Sequence, residues 1–304
     1  MHASPAVETH STRLPWYRTI VAYFRLTKPR VIELLLVTTV PAMVLAADGR
    51  PSPLLVIAVL IGGAMAAGGA NTVNCFLERD RDQLMRRTHT RPLPAGDIDP
   101  RAALAFGLVL EAVAFAWLWW SANLLAASLA VGAMVFYVFV YTMWLKPRTP
   151  QNIVIGGAAG AVPALVGWAA VTGSLSWAAW IMFAIVFCWT PPHFWALAIR
   201  YREDYARAEI PMMPVVRGPR RAAMEGFVYS IIVVALSVAL PAVSTLGAVY
   251  LVSACVLGAV FLVQAFRLIA HNDERRAMQF FTLSNMYLAL LFVAIAVDAF
   301  LARA

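Results

Sequence analysis

The chain has 304 residues, of which 62% are hydrophobic and only 13% are charged, and its formal net charge is +8. Soluble globular chains are usually about 45–50% apolar and about 25% charged, so this composition excludes a soluble domain and indicates a polytopic membrane protein. The positive charge does not indicate a nucleic-acid partner, because no basic run alternates with aromatic residues on a soluble module. The bilayer is the partner that composition implies.

Nine segments are apolar and long enough to cross a membrane, which takes about 20 residues for a helix. They are residues 31–47, 53–74, 102–120, 123–144, 152–171, 177–198, 224–243, 245–267 and 279–301. Pro191 and Pro192 fall inside the sixth, where we expect them to break the helix. We expect residues 1–21 to be a cytosolic tail and residues 22–304 to be one membrane domain.

The distribution of basic residues predicts the orientation of this domain. If the N-terminus is cytoplasmic, all but Arg50 and Arg303 of the 24 Lys and Arg residues fall on the cytoplasmic side. Such an asymmetry is typical of the inward-facing loops of membrane proteins. Two long loops, at about 75–101 and 199–223, lie on that face, and functional residues often sit on such loops.

The clearest chemical pattern lies in residues 71–93. Asn74, Glu78 and Asp82 are four residues apart at the end of the second span, so they share one helical face. Two carboxylates at that spacing repel each other unless a cation lies between them. Oxygen ligands on one face suit Mg²⁺, which takes one or two carboxylates and fills its other positions with phosphate and water. The same segment contains arginines suited to phosphate, namely Arg79, Arg81, Arg86, Arg87 and Arg91. Together these features indicate an enzyme that acts on a lipid diphosphate.

The second long loop follows a further group of candidates. His193 comes directly after Pro191 and Pro192, and it is either a structural histidine or a functional one, since ionisable residues within membranes are candidates by default. Arg200 and Asp204 are four residues apart. They form either a surface ion pair of little energetic weight, or a second site with Asp204 on metal and Arg200 on phosphate.

Two shorter segments also carry charge or small residues. Lys28 and Arg30 precede the first span, where they either anchor it or bind substrate, and Lys146 and Arg148 form a short basic loop. The next span has a glycine face for close helix packing, against which a flat ring system could also lie. Its members are Gly156, Gly157, Gly160 and Gly167.

Four segments in chain order resemble the haem-directed branch of the UbiA-type intramembrane prenyltransferases. They are LTKPRV, NCFLERDRDQLMRRTHTRPL, LKPRTPQNIVIGGAAGA and PPHFWALAIRYREDYARAEIPMMPVV. The resemblance, which runs from about residue 22 to the C-terminus, implies an all-α integral membrane protein with nine helices around a central cavity, capped by cytosolic loops, in the bacterial inner membrane. It implies transfer of farnesyl from farnesyl diphosphate to a vinyl group of haem B. Haem A synthase and terminal oxidase assembly are then candidate partners.

The resemblance also implies roles for individual residues. The family's first Asp-rich motif, NxxxDxxxD, falls on Asn74, Glu78 and Asp82 as Mg²⁺ ligands, with Glu78 in place of the usual Asp. The second motif, DxxxD, keeps only Asp204, because Arg200 replaces its first Asp, so the second metal is left open. His193 is a candidate to orient haem or the quenching water. The candidate substrate-binding cations are Lys28, Arg30, Arg86, Arg87, Arg91, Lys146, Arg148 and Arg200.

Two other functions fit parts of the sequence. A transporter of an anionic lipid or cofactor also has many spans and buried ionisable groups, although the outward loops are short for a gate. A prenyltransferase with a quinone-precursor or chlorophyll acceptor is the second alternative, and Arg200 and the PQNIVIGGAAGA segment argue against it.

Overall fold

The computed structural model describes residues 15–271 and 273–302, and for residues 30, 31 and 33–36 it describes the backbone alone. Within those ranges it contains twelve α-helices and no strand. The helices are α1 (Trp16–Leu26), α2 (Pro29–Ala46), α3 (Pro53–Gln83), α4 (Pro100–Ser121), α5 (Leu124–Val135, continued by a π-helix at Phe136–Leu145), α6 (Asn152–Thr172), α7 (Trp177–Arg200), α8 (Arg202–Arg207), α9 (Met213–Val216), α10 (Pro219–Ala239, continued by a 3₁₀ turn at Leu240–Val243), α11 (Ala248–Ala270) and α12 (Glu274–Leu301).

The prediction of nine spans is confirmed over the described residues. Eight helices are long and apolar enough to cross a membrane, and α2 contributes a shorter apolar stretch, Val37–Ala46. The 31 residues of α3 reach about 46 Å, whereas a hydrocarbon core is about 30 Å thick. The last turns of α3 therefore project beyond the bilayer core, at the end of the bundle that carries residues 84–99 and 201–218. We call this the loop end.

Helix α2 lies in the middle of the bundle, where it contacts α3, α6 and α12, while α7 packs on α6, α10 and α12. Glycines permit these close approaches. A Cβ at Gly167 would lie 2.5 Å from the Thr39 carbonyl oxygen of α2, and one at Gly157 would lie 2.9 Å from Thr190 of α7. The predicted packing role is confirmed for these two and for Gly156, whereas a Cβ at Gly160 would have no neighbour within 4 Å.

The prediction that Pro191 and Pro192 break the sixth span is wrong. Helix α7 runs through both prolines without interruption. Each proline removes one backbone hydrogen bond, but both side chains are buried. Helix α10 packs against Pro192 through Gly226, whose Cβ would lie 3.4 Å from Pro192 Cα. Packing from neighbouring helices therefore holds the helix together, as membrane helices allow.

Two further elements were not expected from the sequence. Helix α1 crosses the predicted boundary at residue 21, so the described part of the predicted tail is helical and is continuous with residues of the membrane domain. The continuation of α5 at Phe136–Leu145 is a π-helix, a widened form that is often found at functional sites.

Candidate active site

The first-motif side chains lie together on one face of α3 at the loop end, as the four-residue spacing predicts. Asn74, Glu78 and Asp82 are exposed by only 1%, 4% and 3%. Asp80, on the opposite side of the helix, is largely exposed. Two carboxylates and an amide are thus withdrawn from water side by side, and each requires a partner to offset its desolvation.

Each of the three oxygen-bearing side chains faces its own basic residue. The Lys28 ammonium donates a 2.7 Å hydrogen bond to Asn74 Oδ1, and the Arg91 guanidinium donates one of 2.7 Å to Asp82 Oδ2. Lys146 forms an ion pair with Glu78. The three cations come from the start of α2, the loop after α3 and the end of α5, so the fold brings together residues that are far apart in sequence.

The electrostatics of the basic residues reflect this pairing. Burial would lower the pKa of Lys146, but the adjacent Glu78 carboxylate outweighs it, and the pKa lies above its usual range. Burial likewise opposes the charge on Arg91, and Asp82 raises its pKa above the usual value. Both groups therefore remain cationic at neutral pH and are suited to bind phosphate oxygens.

The π-helix places a residue that the sequence analysis missed. Asn74 Nδ2 donates a 3.0 Å hydrogen bond to Thr142 Oγ1, and the Thr142 hydroxyl donates in turn to the Tyr137 carbonyl at 2.8 Å. Tyr137 and Tyr141 stack with ring centroids 5.5 Å apart, and the Tyr141 ring lies 5.9 Å from Lys146 Nζ. The spacing of apolar residues in the sequence gives no sign of this ten-residue π-helix.

The two loops meet over this face. Met85 of the first loop packs in one buried cluster with Tyr205 and Met212 of the second. The Arg87 guanidinium lies 5.8 Å from the Tyr201 ring centroid, which adds a cation–π contact across the same junction. The expected cap of two loops is therefore present as one packed unit.

Other predicted cations lie elsewhere at the loop end. Arg86 and Arg87 are exposed. Arg148 donates to the carbonyls of Met143 and Trp144 at 3.2 and 3.3 Å, so it caps the end of α5 and is not brought to the α3 face. The side chain of Arg30 lies outside the described residues.

At the second motif, Arg200 and Asp204 do not pair with each other. Arg200 forms an exposed ion pair with Glu274 at the start of α12. Asp204 is buried in α8 and pairs with Arg207.

His193 is packed within the bundle between α7 and α12. Its ring is stacked between Trp189 and Phe281, with centroid distances of 4.2 and 4.3 Å. Its Nδ1 is 2.7 Å from the Ser284 hydroxyl. The structure brings His193 to the α7–α12 contact rather than to the carboxylates of α3.

The residues of the α3 face fit Mg²⁺ in their chemistry. Within the described residues no three His, Cys, Asp or Glu side chains form a metal-binding group, so the protein would supply two carboxylates and the Asn74 amide oxygen. A small set of oxygen donors is what Mg²⁺ accepts when substrate phosphate completes its shell.

Comparison with known proteins assigns the chain to a family. Residues 35–291 match the UbiA prenyltransferase family. The chain belongs to this family. Among solved structures it superimposes on a digeranylgeranylglyceryl phosphate synthase with a TM-score of 0.76 at 16% identity, covering 93% of this chain and 99% of that one. It superimposes on a UbiA homologue from Aeropyrum pernix K1 with a TM-score of 0.68 at 21% identity, covering 88% and 98%. These likenesses confirm the fold.

Family members of known sequence are much more similar. A protein from Saccharopolyspora erythraea named protoheme IX farnesyltransferase 1 is 55% identical, over 98% of this chain and 97% of its own length. Relatives named protoheme IX farnesyltransferase from Mycobacteroides abscessus (94% and 91% coverage) and Gloeobacter violaceus (91% of both chains) are each 50% identical. These relatives therefore place the resemblance of this chain in the haem-directed branch of the UbiA family.

Proposed function

We propose that this chain transfers the farnesyl group of farnesyl diphosphate to a vinyl group of haem B, giving haem O and diphosphate. Its similarity to proteins named protoheme IX farnesyltransferase, over nearly the whole length of both chains, supports the choice of acceptor and donor. The observation that carries the chemistry is the set of three paired groups at the loop end, Lys28–Asn74, Lys146–Glu78 and Arg91–Asp82, in which the α3 side chains are buried and the cations are partly buried.

The paired groups can exchange partners when the substrate enters. Asn74, Glu78 and Asp82 would hold Mg²⁺, which when bound neutralises charge on the leaving diphosphate. Lys28, Lys146 and Arg91 would then turn from the α3 side chains to the diphosphate oxygens. Charge balance in the buried site is thereby kept while the bond between farnesyl C1 and oxygen weakens. A UbiA homologue from Archaeoglobus fulgidus with DMAPP and Mg²⁺ agrees with a metal-dependent donor site.

The remaining steps follow from the chemistry of an allylic cation. The C1–O bond breaks and its electron pair leaves with diphosphate. The haem vinyl carbon attacks C1, which forms the new C–C bond and leaves a cation beside the porphyrin ring. Water adds to that cation and loses a proton, which gives the hydroxyethylfarnesyl side chain. Tyr141 lies beside Lys146 and stacks on Tyr137, so the two rings offer π faces to a cation. The packed loops would exclude water from the first step.

We also place the loop end in the cytoplasm, with the protein in the bacterial inner membrane and the N-terminus inside. The concentration of Lys and Arg at that end supports this orientation. Asp204 is buried near the loop junction but pairs with Arg207, and Arg200 pairs with Glu274. A single metal held by α3 is therefore the simpler proposal.

Incubation of the purified protein with haem B, farnesyl diphosphate and Mg²⁺ tests the proposal, with mass spectrometry of the porphyrin as the readout. The expected product is haem B plus a farnesyl group and a hydroxyl group. Asp82→Asn, checked for folding by its elution and thermal unfolding, is the matched inactive control. Prenylation of 4-hydroxybenzoate without any haem product would assign a quinone-type acceptor, and haem uptake into vesicles without any product would favour a transporter.

A further inference from the structure

Helix α1 has three distinct sides. At 100° per residue, Trp16, Tyr17, Ile20, Val21 and Phe24 occupy an arc of about 140°. These five side chains are 52–76% exposed, the largest value being that of Trp16.

Next to this apolar arc lie two exposed arginines, and opposite it lies the buried side. Arg18 and Arg25 follow at about 180–200° on the helical wheel, whereas Ala22 and Leu26 face the protein and are exposed by 3% and 0%. A helix with an apolar arc, flanking arginines and a separate protein-facing side has the pattern of an interfacial helix. Water would be an unfavourable neighbour for so large a continuous apolar surface.

The position of α1 in the bundle matches the border of the bilayer core. Ala22 and Leu26 pack in one buried cluster with Cys75 and Ala103, near the loop ends of α3 and α4, and the Tyr23 ring contacts Phe106 of α4 edge-on at 5.0 Å. Two and three residues further along α4, Leu108 and Val109 are its first large hydrophobic side chains to be exposed. The apolar arc of α1 therefore lies at the level where the lipid-facing surface of α4 starts.

The C-terminal end of α1 is tied directly to the candidate active site. Thr27 follows α1, and its carbonyl accepts a 2.9 Å hydrogen bond from Asn71 of α3. Lys28, the next residue, has a left-handed backbone (φ 53°), which is unfavourable for a residue with a Cβ unless its surroundings hold it. Arg25 donates a 3.0 Å hydrogen bond to the Thr90 carbonyl, next to Arg91. The two cations that flank Asn74 and Asp82 are thus both connected to α1.

We propose that α1 is an interfacial helix whose apolar arc inserts into the headgroup–acyl boundary of the bilayer, with Arg18 and Arg25 at the lipid phosphates, and that this contact holds Lys28 and Arg91 in the active site. The proposed lipid contact is inferred from the exposed surface and position of α1 and does not depend on the proposed function. The positioning of the two cations rests on the proposed function, so the two parts need separate measurements.

The lipid contact is tested by spin labels in nanodiscs. Labels are placed at Ile20→Cys and, as the matched control at the same end, at exposed Ala95→Cys, in a chain with Cys75, Cys188 and Cys255 replaced by alanine. We expect the label at residue 20 to collide more with oxygen than with a water-soluble nickel chelate, and the label at residue 95 to show the reverse. Equal nickel accessibility at both positions would overturn the proposal. If the alanine background does not fold, a photo-crosslinking residue at position 20 replaces the label, and absence of a lipid adduct would overturn the proposal in the same way.

The positioning part is tested with the paired change Ile20→Asp/Phe24→Asp in the same nanodiscs. We expect affinity for inorganic pyrophosphate with Mg²⁺, measured by calorimetry, to fall about tenfold or more, which is the scale for one lost hydrogen bond to a charged group. Ile20→Leu/Phe24→Trp and Ala95→Asp should keep wild-type affinity. Unchanged affinity in the double Asp variant would refute the link to Lys28 and Arg91. It would not affect the lipid contact, which the spin labels test separately. Because this titration needs no turnover, lack of haem prenylation would count against the proposed function and not against α1.

Discussion

Each metal-ligand candidate on α3 has a different cationic partner, and this division gives each residue a separate task. Lys146 is 14% exposed at the side chain and faces Glu78, whereas Arg91 is tied to Asp82. Removal of one partner from a buried ion pair costs more than the pair contributes, because the other charge is left without compensation. At each of these positions, a substitution that removes the charge should therefore be compared with one that keeps it.

Glu78 is the residue for which that comparison is sharpest. Glu78→Asp keeps the charge beside Lys146 and shortens the side chain by one methylene, so we expect it to keep most activity. Glu78→Gln leaves the Lys146 ammonium buried without a counter-charge, and we expect a loss of about 10²-fold or more in kcat, the scale for a lost electrostatic contact at a reacting centre. Initial rates of haem prenylation decide between them, and equal rates for the two variants would exclude a charged role for Glu78.

Substitutions of Lys146 and Arg148 should have different effects in the same assay, although the two residues are only two positions apart. Lys146→Ala removes a cation from the α3 face, and we expect kcat/KM for farnesyl diphosphate to fall about 10²-fold. Arg148→Ala removes only a cap on the Met143 and Trp144 carbonyls, so we expect a stability loss of about 1 kcal/mol and an unchanged KM. A large KM effect for Arg148→Ala would show that it reaches the substrate.

At the scale of elements, the π-helix of α5 aligns its residues with α3. Asn74 donates a hydrogen bond to Thr142 within this π-helix, where the Thr142 hydroxyl also donates to the Tyr137 carbonyl five residues earlier. Helix α7 shows the opposite case, since two prolines do not interrupt it. Both outcomes depend on neighbouring helices, and neither could be predicted from local sequence.

Thr142→Val should test the link between the π-helix and α3. This change keeps the shape of the side chain and removes the hydroxyl that accepts from Asn74. We expect the KM for farnesyl diphosphate to rise about three- to tenfold, because one buried hydrogen bond is lost, while Thr142→Ser should stay near wild type. Similar KM values for Val and Ser would mean that Asn74 is held without this bond.

We expect the main role of His193 to be structural, in the packing of α7 against α12. Its aromatic neighbours, Trp189 and Phe281, and its hydrogen bond to Ser284 predict that His193→Ala lowers stability by about 2–4 kcal/mol. Ser284→Ala removes only the hydrogen bond and should cost about 1 kcal/mol. Thermal unfolding in detergent measures both. Unchanged unfolding of His193→Ala together with weakened haem binding, followed by the haem absorption band, would instead support a role in orienting haem.

For the whole molecule, the sequence predicted the features that depend on composition and period. The nine spans, the one-face arrangement of Asn74, Glu78 and Asp82, and the cap of two loops were all expected. The assignment of Lys28, Lys146 and Arg91 to individual partners was not, because it depends on how distant segments meet. Helix α1 was missed since its eleven residues are too few for a span and lie in a segment whose first part is polar.

Orientation is the prediction that belongs to the molecule as a whole. In a chain without its native cysteines, Arg50→Cys should react with an impermeant thiol reagent added outside intact cells, because Arg50 lies at the end opposite the loops. Ala95→Cys, at the loop end, should react only after the cells are opened. The reverse labelling pattern would place the loop end outside and exclude direct access to cytoplasmic farnesyl diphosphate.

The central position of α2 has a consequence for biogenesis. This helix is made before its neighbours α6 and α12, and at typical translation rates α12 follows it by roughly 10–50 s. During that time its short apolar stretch, Val37–Ala46, lies in lipid or in the insertion machinery without α12, one of its main native neighbours. Gly167, which leaves space for the Thr39 backbone, then forms part of a late docking step. Packing of the bundle around α2 is therefore complete only after α12 has been inserted.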